Sequence, residues 1–291
     1  MDRIGRMTRA SLMLTAVVAL IAAGCASWTD RSSRSDETQP NPDTLFAATE
    51  SSRAIVLNVG FHPIESNRLG PDEVASLWQW VDEMVIDPGR RRDLLANGLR
   101  VGKVIRKEQF QSRLSHLSRP ADVVDVFLSE ADVATDLSSG SKRIPMRFGK
   151  RHELPLRHPI SGSQVTLVKL DGKTIGKTLE DPHSLLAITP SKTSISGQIE
   201  LKCRPEIQHG QARQKWVPSD SAIRIDSRRD TWSFDALDIE WVGGEGDMFV
   251  VTATQPAIGL GKQMMSGDSA SQTEQQLVVL IKIDKMPTIA E

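Results

Sequence analysis

The chain has 291 residues, with 36 Lys and Arg against 37 Asp and Glu and a net charge of −1. That balance gives no basis for nucleic-acid binding, which asks for a basic stripe. The absence of tyrosine counts against a stacking platform for bases or sugars.

Residues 1–25 have the three parts of an export signal. Arg3, Arg6 and Arg9 form a basic start, Leu12 to Ala23 is apolar apart from Thr15, and small residues close the segment. The apolar run falls short of the roughly 20 residues of a membrane-spanning helix, and it fits the apolar core of a cleavable signal. A buried N-terminal helix is the plain alternative. Ala22-Ala23-Gly24-Cys25 resembles the lipobox of bacterial lipoproteins, with Ala22 where that family usually has Leu. The resemblance implies that the Cys25 sulfur takes a diacylglycerol and that Cys25 becomes the new N-terminus. It also implies transfer to the outer membrane, facing the periplasm, because Ala26 is not an aspartate. Ordinary secretion with a chance cysteine near the cut remains the other reading. An exported compartment permits disulfides, but a lipidated Cys25 cannot form one, which leaves Cys203 single.

Residues 26–52 read as a disordered tether. Thr29 to Asp36 and Pro40-Asn41-Pro42-Asp43 contain few groups able to form a core, and such composition does not offset chain entropy. Structure is expected from Arg53. Ala54 to Phe61 is rich in β-branched residues and predicts a strand that stops before Pro63. From Pro71 the period changes: Val74, Leu77, Trp78, Val81, Met84 and Val85 fall at helical spacing, and Asp72-Glu73 suit the positive end of a helix dipole. The next expectations are a helix over Pro88–Ala96 ending at Asn97-Gly98, a strand over Leu99–Ile105, and a helix over Lys107–Leu117 carrying Phe110, Leu114 and Leu117. Pro120 to Ala134 is ambiguous between helix and strand. Residues 53–135 thus read as a small mixed α/β unit.

From Arg143 onward strand signals dominate. Ile195, Gly197, Ile199, Leu201 and Cys203 share one parity, and Ser196, Gln198, Glu200, Lys202 and Arg204 the other. That alternation predicts a strand wet on one face, with Cys203 a small core residue and Pro205 at an edge or bend. Further strands are expected at Val165–Leu170, Leu185–Ile188, Ala222–Asp226, Thr231–Phe234, Leu237–Val242, Met248–Ala253 and Leu277–Ile283. The last two are apolar on both parities, which suggests central strands covered on both faces. Gly261 to Glu274 reads as an exposed loop. The fold class expected is α+β, with a β-rich, sandwich-like or bent-sheet domain over 136–291.

Three motifs invite chemistry. Asp171 to Thr178 has the look of a phosphate-binding loop, but only Lys173, Thr174 and Ile175 separate Gly172 from Gly176-Lys177, where that loop needs four residues; a hairpin turn fits better. Ser139-Gly140-Ser141-Lys142 matches a Ser-x-x-Lys element, yet nothing there predicts the helix that sets lysine beside serine, so it reads as a linker. His209 lies near Glu206, but one His and one Glu cannot complete a metal site. No zinc spacing or Gly-x-Ser-x-Gly elbow occurs. No cofactor is expected, and catalysis by Ser139 or His209 has little behind it.

Two wider resemblances bear on function. Leu186 to Pro190, Gly197 to Lys202, Ser233 to Val251, Pro256 to Gly261 and Gln276 to Ile281 are similar, in order, to strands and turns of the C-terminal β-domain of secretins, the multimeric outer-membrane channels. The likeness covers about a third of the chain and implies a related β scaffold, without that family's long membrane-spanning hairpins. Leu77-Trp78, Val81-Asp82-Glu83 and Asn97 to Gly102 resemble an uncharacterised envelope-protein family of planctomycete-type bacteria, which brings no activity with it. The expectation is a non-enzymatic, lipid-anchored envelope protein that binds an envelope partner or its own copies. A secretin-related secretion component is the alternative, and an envelope hydrolase a third.

Overall fold

The structure, a computed structural model, describes residues 54–65, 71–118, 137–218, 223–268 and 273–287. Among the described residues there are four α-helices: α1 (Pro71–Ala75), α2 (Pro88–Ala96), α3 (Lys107–Leu117) and α4 (Gly259–Met265). The strands are β1 (Ile55–Glu65), β2 (Val81–Asp82), β3 (Leu99–Val104), β4 (Gly140–Met146), β5 (His152–Pro155), β6 (Ser163–Leu170) and β7 (Lys173–Glu180). They continue with β8 (His183–Lys192), β9 (Gln198–Pro218), β10 (Ile223–Ser233), β11 (Ile239–Gly244), β12 (Met248–Ala253), β13 (Ser266–Asp268) and β14 (Glu274–Lys285). The protein is α+β and rich in antiparallel strand.

The first sheet runs β2-β3-β12-β14-β1-β4, with β13 also paired to β14. A second runs β10-β9-β8-β5 with β11 on β9, and β6-β7 form a separate hairpin. The first sheet is the middle layer. On one face Leu57, Val59, Val251, Val279 and Ile281 pack with Ile188, Leu201, Cys203 and Ile239 of the second sheet. Across that seam Trp241 stacks on Phe249, with ring centroids 4.5 Å apart and planes 3° from parallel. On the other face Met248, Val250, Val278 and Leu280 pack with Val74, Leu77, Phe110, Leu114 and Leu117. The two-sided apolar pattern of β12 and β14 is therefore matched by burial on both faces, each large side chain contributing about 1.5–3 kcal/mol.

Helices α2 and α3 fall where their sequence signals put them. The Asp87 carboxylate accepts from the Arg90 N–H at the start of α2, Pro88 sits in its first turn, and Gly98 follows at φ +79°. Other expectations are corrected. The helix expected through Val85 ends as α1 and a 3-10 turn over Ser76–Trp80, and Val81 enters β2 opposite Val104. Cross-strand pairing outcompetes helical periodicity here, because Gly102 lets Val81 pack flat against β3; a Cβ at Gly102 would lie 2.4 Å from Val81 Cγ1. Met84 is left 71 % exposed. Strand β1 continues through Pro63: β4 pairs it only to Phe61, and beyond Pro63 there is only an isolated bridge from Ile64 to Ser118, so among the described residues Pro63 pairs with β14 alone.

Strand β9 likewise runs through Pro205. Its outer flank is paired to β11 over Gln198–Cys203 and to β10 from Glu206 onward. The Pro205 carbonyl accepts from Phe234 N–H on that flank, so its missing donor points into the changeover between neighbours. The two short strands expected at 222–226 and 231–234 are one strand, β10, with an irregularity between Arg228 and Asp230. Gly261 to Glu274 is no simple exposed loop. It contains most of α4, with Gly261, Met264 and Met265 buried, and strand β13. Gly261 is needed because a Cβ there would stand 1.8 Å from the Gly98 carbonyl oxygen. Ser141 and Lys142, expected in a linker, pair with β1 in β4. Finally, β14 lies between β12 and β1, so residues from 53–135 and 136–291 share one sheet. The expectation at Pro120–Ala134 lies outside the described residues.

Candidate interaction surface

The sequence-selected residues do not converge. Cys25 and residues 26–52, expected as a tether, lie outside the described residues. Cys203 is free and fully buried on the core parity of β9, and burial pushes its thiol far up, away from the reactive thiolate. Asp171 and Gly172 turn β6 into β7 at φ 50° and 74°, the two positive values of a tight hairpin turn. The Asp171–Thr178 segment is thus a hairpin without a following helix. Ser139 precedes an extended strand, and Lys142 pairs with Val59, so no helix sets lysine beside serine.

His209 stands opposite Asp230 in the β9–β10 ladder, and its Nε2 is 3.3 Å from Lys177 Nζ. Burial lowers its pKa, the charge of Lys177 adds to that, and Asp230 opposes it. The imidazole is therefore held toward its neutral form. Glu206 is three residues back, hence on the other parity, where it serves a different cluster. There Arg151 bridges Glu206 and Glu153, while Ser233 Oγ donates to Glu206 at 3.0 Å. Among the described residues no group of three or more His, Cys, Asp or Glu is placed to hold a metal ion.

The strongest charge cluster is structural. Arg204 donates twice to Asp238, at 2.6 and 2.7 Å, and Lys202 lies 3.0 Å from the same carboxylate. Burial opposes the charge on Asp238, but these hydrogen bonds prevail and hold its carboxyl below the usual range. The cluster ties β9 to the turn entering β11.

An open recess of about 530 Å³ lies between β6 and α4, lined by Arg157, Gln164, Val165, Leu167, Lys262 and Gln263 among others. Arg157 donates to the Gln263 carbonyl at 3.1 Å and to that of Ser266, which fixes the end of α4. At the other end of β6, Asn97 acts as a substitute strand. Its Oδ1 accepts from Lys169 N–H and its Nδ2 donates to Lys169 C=O, both at 2.7 Å. Val165 and Leu167 beyond it are 67 % and 50 % exposed.

The largest feature missed in the sequence is an arm. Strand β8 accompanies β9 only to Gln208, whereas β9 and β10 stay paired out to Pro218 and Ile223. From His209 to Pro218, roughly 30 Å at strand rise, the ribbon is two strands wide among the described residues. Arg229 braces its base, with Nε donating to Gly210 C=O at 2.7 Å and a second donor to Asp181 C=O. Gln211 to Gln214, Ser227 and Arg228 are exposed. A two-stranded ribbon is marginal in water by itself. Such an arm, whose edges carry no further strand among the described residues, is suited to contact with another surface. Stretches such as Gln211-Ala212-Arg213-Gln214 carry no apolar alternation, so nothing local marked them as strand.

No protein-family model matches the chain, and no curated protein matches it. Among solved structures it is similar to a chain of the Klebsiella pneumoniae type II secretion system outer membrane complex, comprising PulD, PulS and the PulC HR domain. The identity is 10 % and the TM-score 0.16, over 79 % of this chain and 36 % of that one. This chain thus spans little more than a third of that neighbour, and a superposition this loose defines no common fold.

Proposed function

We propose that the protein is a non-enzymatic, lipid-anchored envelope protein with an interaction role. Cys25 carries the lipid, residues 26–52 form the tether, and the β-rich body meets an envelope partner or its own copies at the outer membrane. The single observation that carries this reading is the order of Arg3, Arg6 and Arg9, the apolar run Leu12–Ala23, and Cys25. Mass spectrometry of the mature N-terminus tests it, with a diacylglyceryl Cys25 expected. An unmodified Cys25 overturns the anchor. For the non-catalytic part, Ser139→Ala and His209→Ala should retain full in-cell function, and loss in either would restore a hydrolase reading.

A secretion-channel component is the second reading. It is favoured by the β9–β10 arm, whose residues from 209 outward pair only with each other among the described residues, which would leave strand edges open to further copies. Heat-resistant multimers in detergent would support it. A strict monomer, with no membrane integration after lipid removal, would reject it.

A further inference from the structure

We infer that the β9–β10 arm binds an anionic lipid surface at headgroup depth, separately from any acyl chain at Cys25. Residues 209–230 hold five cations, Arg213, Lys215, Arg224, Arg228 and Arg229, against Asp220, Asp226 and Asp230. This is a local positive excess in a chain whose net charge is −1. The register sorts these residues. One parity pairs Arg213 with Arg228, Lys215 with Asp226 and Val217 with Arg224. The other pairs Gln214 with Ser227, Trp216 with Ile225 and Pro218 with Ile223. In this part of the ladder every charge falls on one parity, while the other grows apolar toward its outer end.

A ribbon with Trp and Ile on one parity and Lys and Arg on the other has the composition of an interfacial element. Trp is at home among headgroups, long cationic side chains reach round an apolar body to the polar layer, and anionic headgroups attract them. The depth follows from the backbone. Beyond Gly210, whose carbonyl Arg229 serves, each strand of the arm has one edge without a strand partner among the described residues, and unbonded N–H and C=O groups are not tolerated in hydrocarbon. The arm therefore lies in the interface and does not cross it. An acidic protein groove would answer the cations but leaves the apolar parity unexplained.

The test uses the full chain carrying Cys25→Ser, so that no acyl chain contributes, floated with phosphatidylcholine vesicles with or without phosphatidylglycerol. Residues 12–23 are common to every variant, so differences report the arm. Partition onto the phosphatidylglycerol vesicles should exceed that onto phosphatidylcholine alone. It should fall roughly ten-fold or more in Arg213→Ser/Lys215→Ser/Arg224→Ser and several-fold in Trp216→Ala, with thermal unfolding unchanged in both. Equal partition of the parent onto the two vesicles, or variants that bind as the parent does, overturns the proposal. Loss of a crosslinked envelope protein in the triple variant, with vesicle binding intact, assigns the arm to a protein partner and overturns it as well. An unmodified Cys25 in cells removes the anchor and leaves this result readable.

Discussion

The β12–β14 pair and the β9–β10 arm are built from the same antiparallel hydrogen bonding, yet they stand at opposite ends of burial. Met248 to Ala253 and Leu277 to Ile281 are buried, with apolar layers on both faces. Among the described residues, each strand of the arm from His209 outward has a strand neighbour on one edge only. Pairing by itself does not set stability. The centre is held by what covers the sheet, and the base of the arm is braced by Arg229.

Substitutions should break or sharpen this contrast in a graded way. Phe249→Ala removes the ring stacked on Trp241 and should cost about 3–5 kcal/mol in denaturant unfolding; a cost under about 1 kcal/mol would mean the two sheets are not joined at that seam. Asn97→Ala strips the substitute strand from Lys169 and orphans part-buried backbone groups, for about 1–3 kcal/mol. Asn97→Asp retains the acceptor but not the donor, and should fall between. Asp238→Asn tests the charge cluster through pH. Its folded pKa lies below the ordinary 3.8, so the carboxylate's contribution is complete above that value. It is lost as pH falls through the folded pKa. The variant should lose stability at neutral pH and show a shallower acid limb; an unchanged acid limb would remove Asp238 as its source. In the arm, Arg213→Ala, at an exposed position, should move stability by no more than about 0.5 kcal/mol. A larger loss would show that this part of the arm packs on the body.

Legibility in the sequence followed the same contrast. Both-parity apolar runs revealed β12 and β14, and local signals sufficed for α2, α3 and the Asp171-Gly172 turn, because each is decided within a few residues. The prolines misled. Whether Pro63 or Pro205 stops a strand depends on which flank lacks a neighbour, and those neighbours, β4, β10 and β11, come from distant sequence. The helix expected to Val85 failed because Gly102 admits Val81 to a strand pairing that no helical periodicity encodes. Gly261 to Glu274 reads as loop composition, although Met264 and Met265 are buried under contacts made at Gly98 and β6. Of the functional features, the lipobox-like residues at Cys25 were visible in sequence alone. The arm became visible only in the register of β9 with β10.

The position of β14 has a kinetic meaning. Val56 of β1 pairs with Lys285, and the ladder continues inward to Glu65 and Gln275, a separation of more than 200 residues along the chain. Sheets closed by such distant partners form slowly, because the intervening loop must be ordered before any contact rewards it. A chain that has made β1 still lacks the strand that pairs along it, so this core can close only after β14 is made. If the chain is exported, as proposed, that order would leave the core open while the earlier part is translocated.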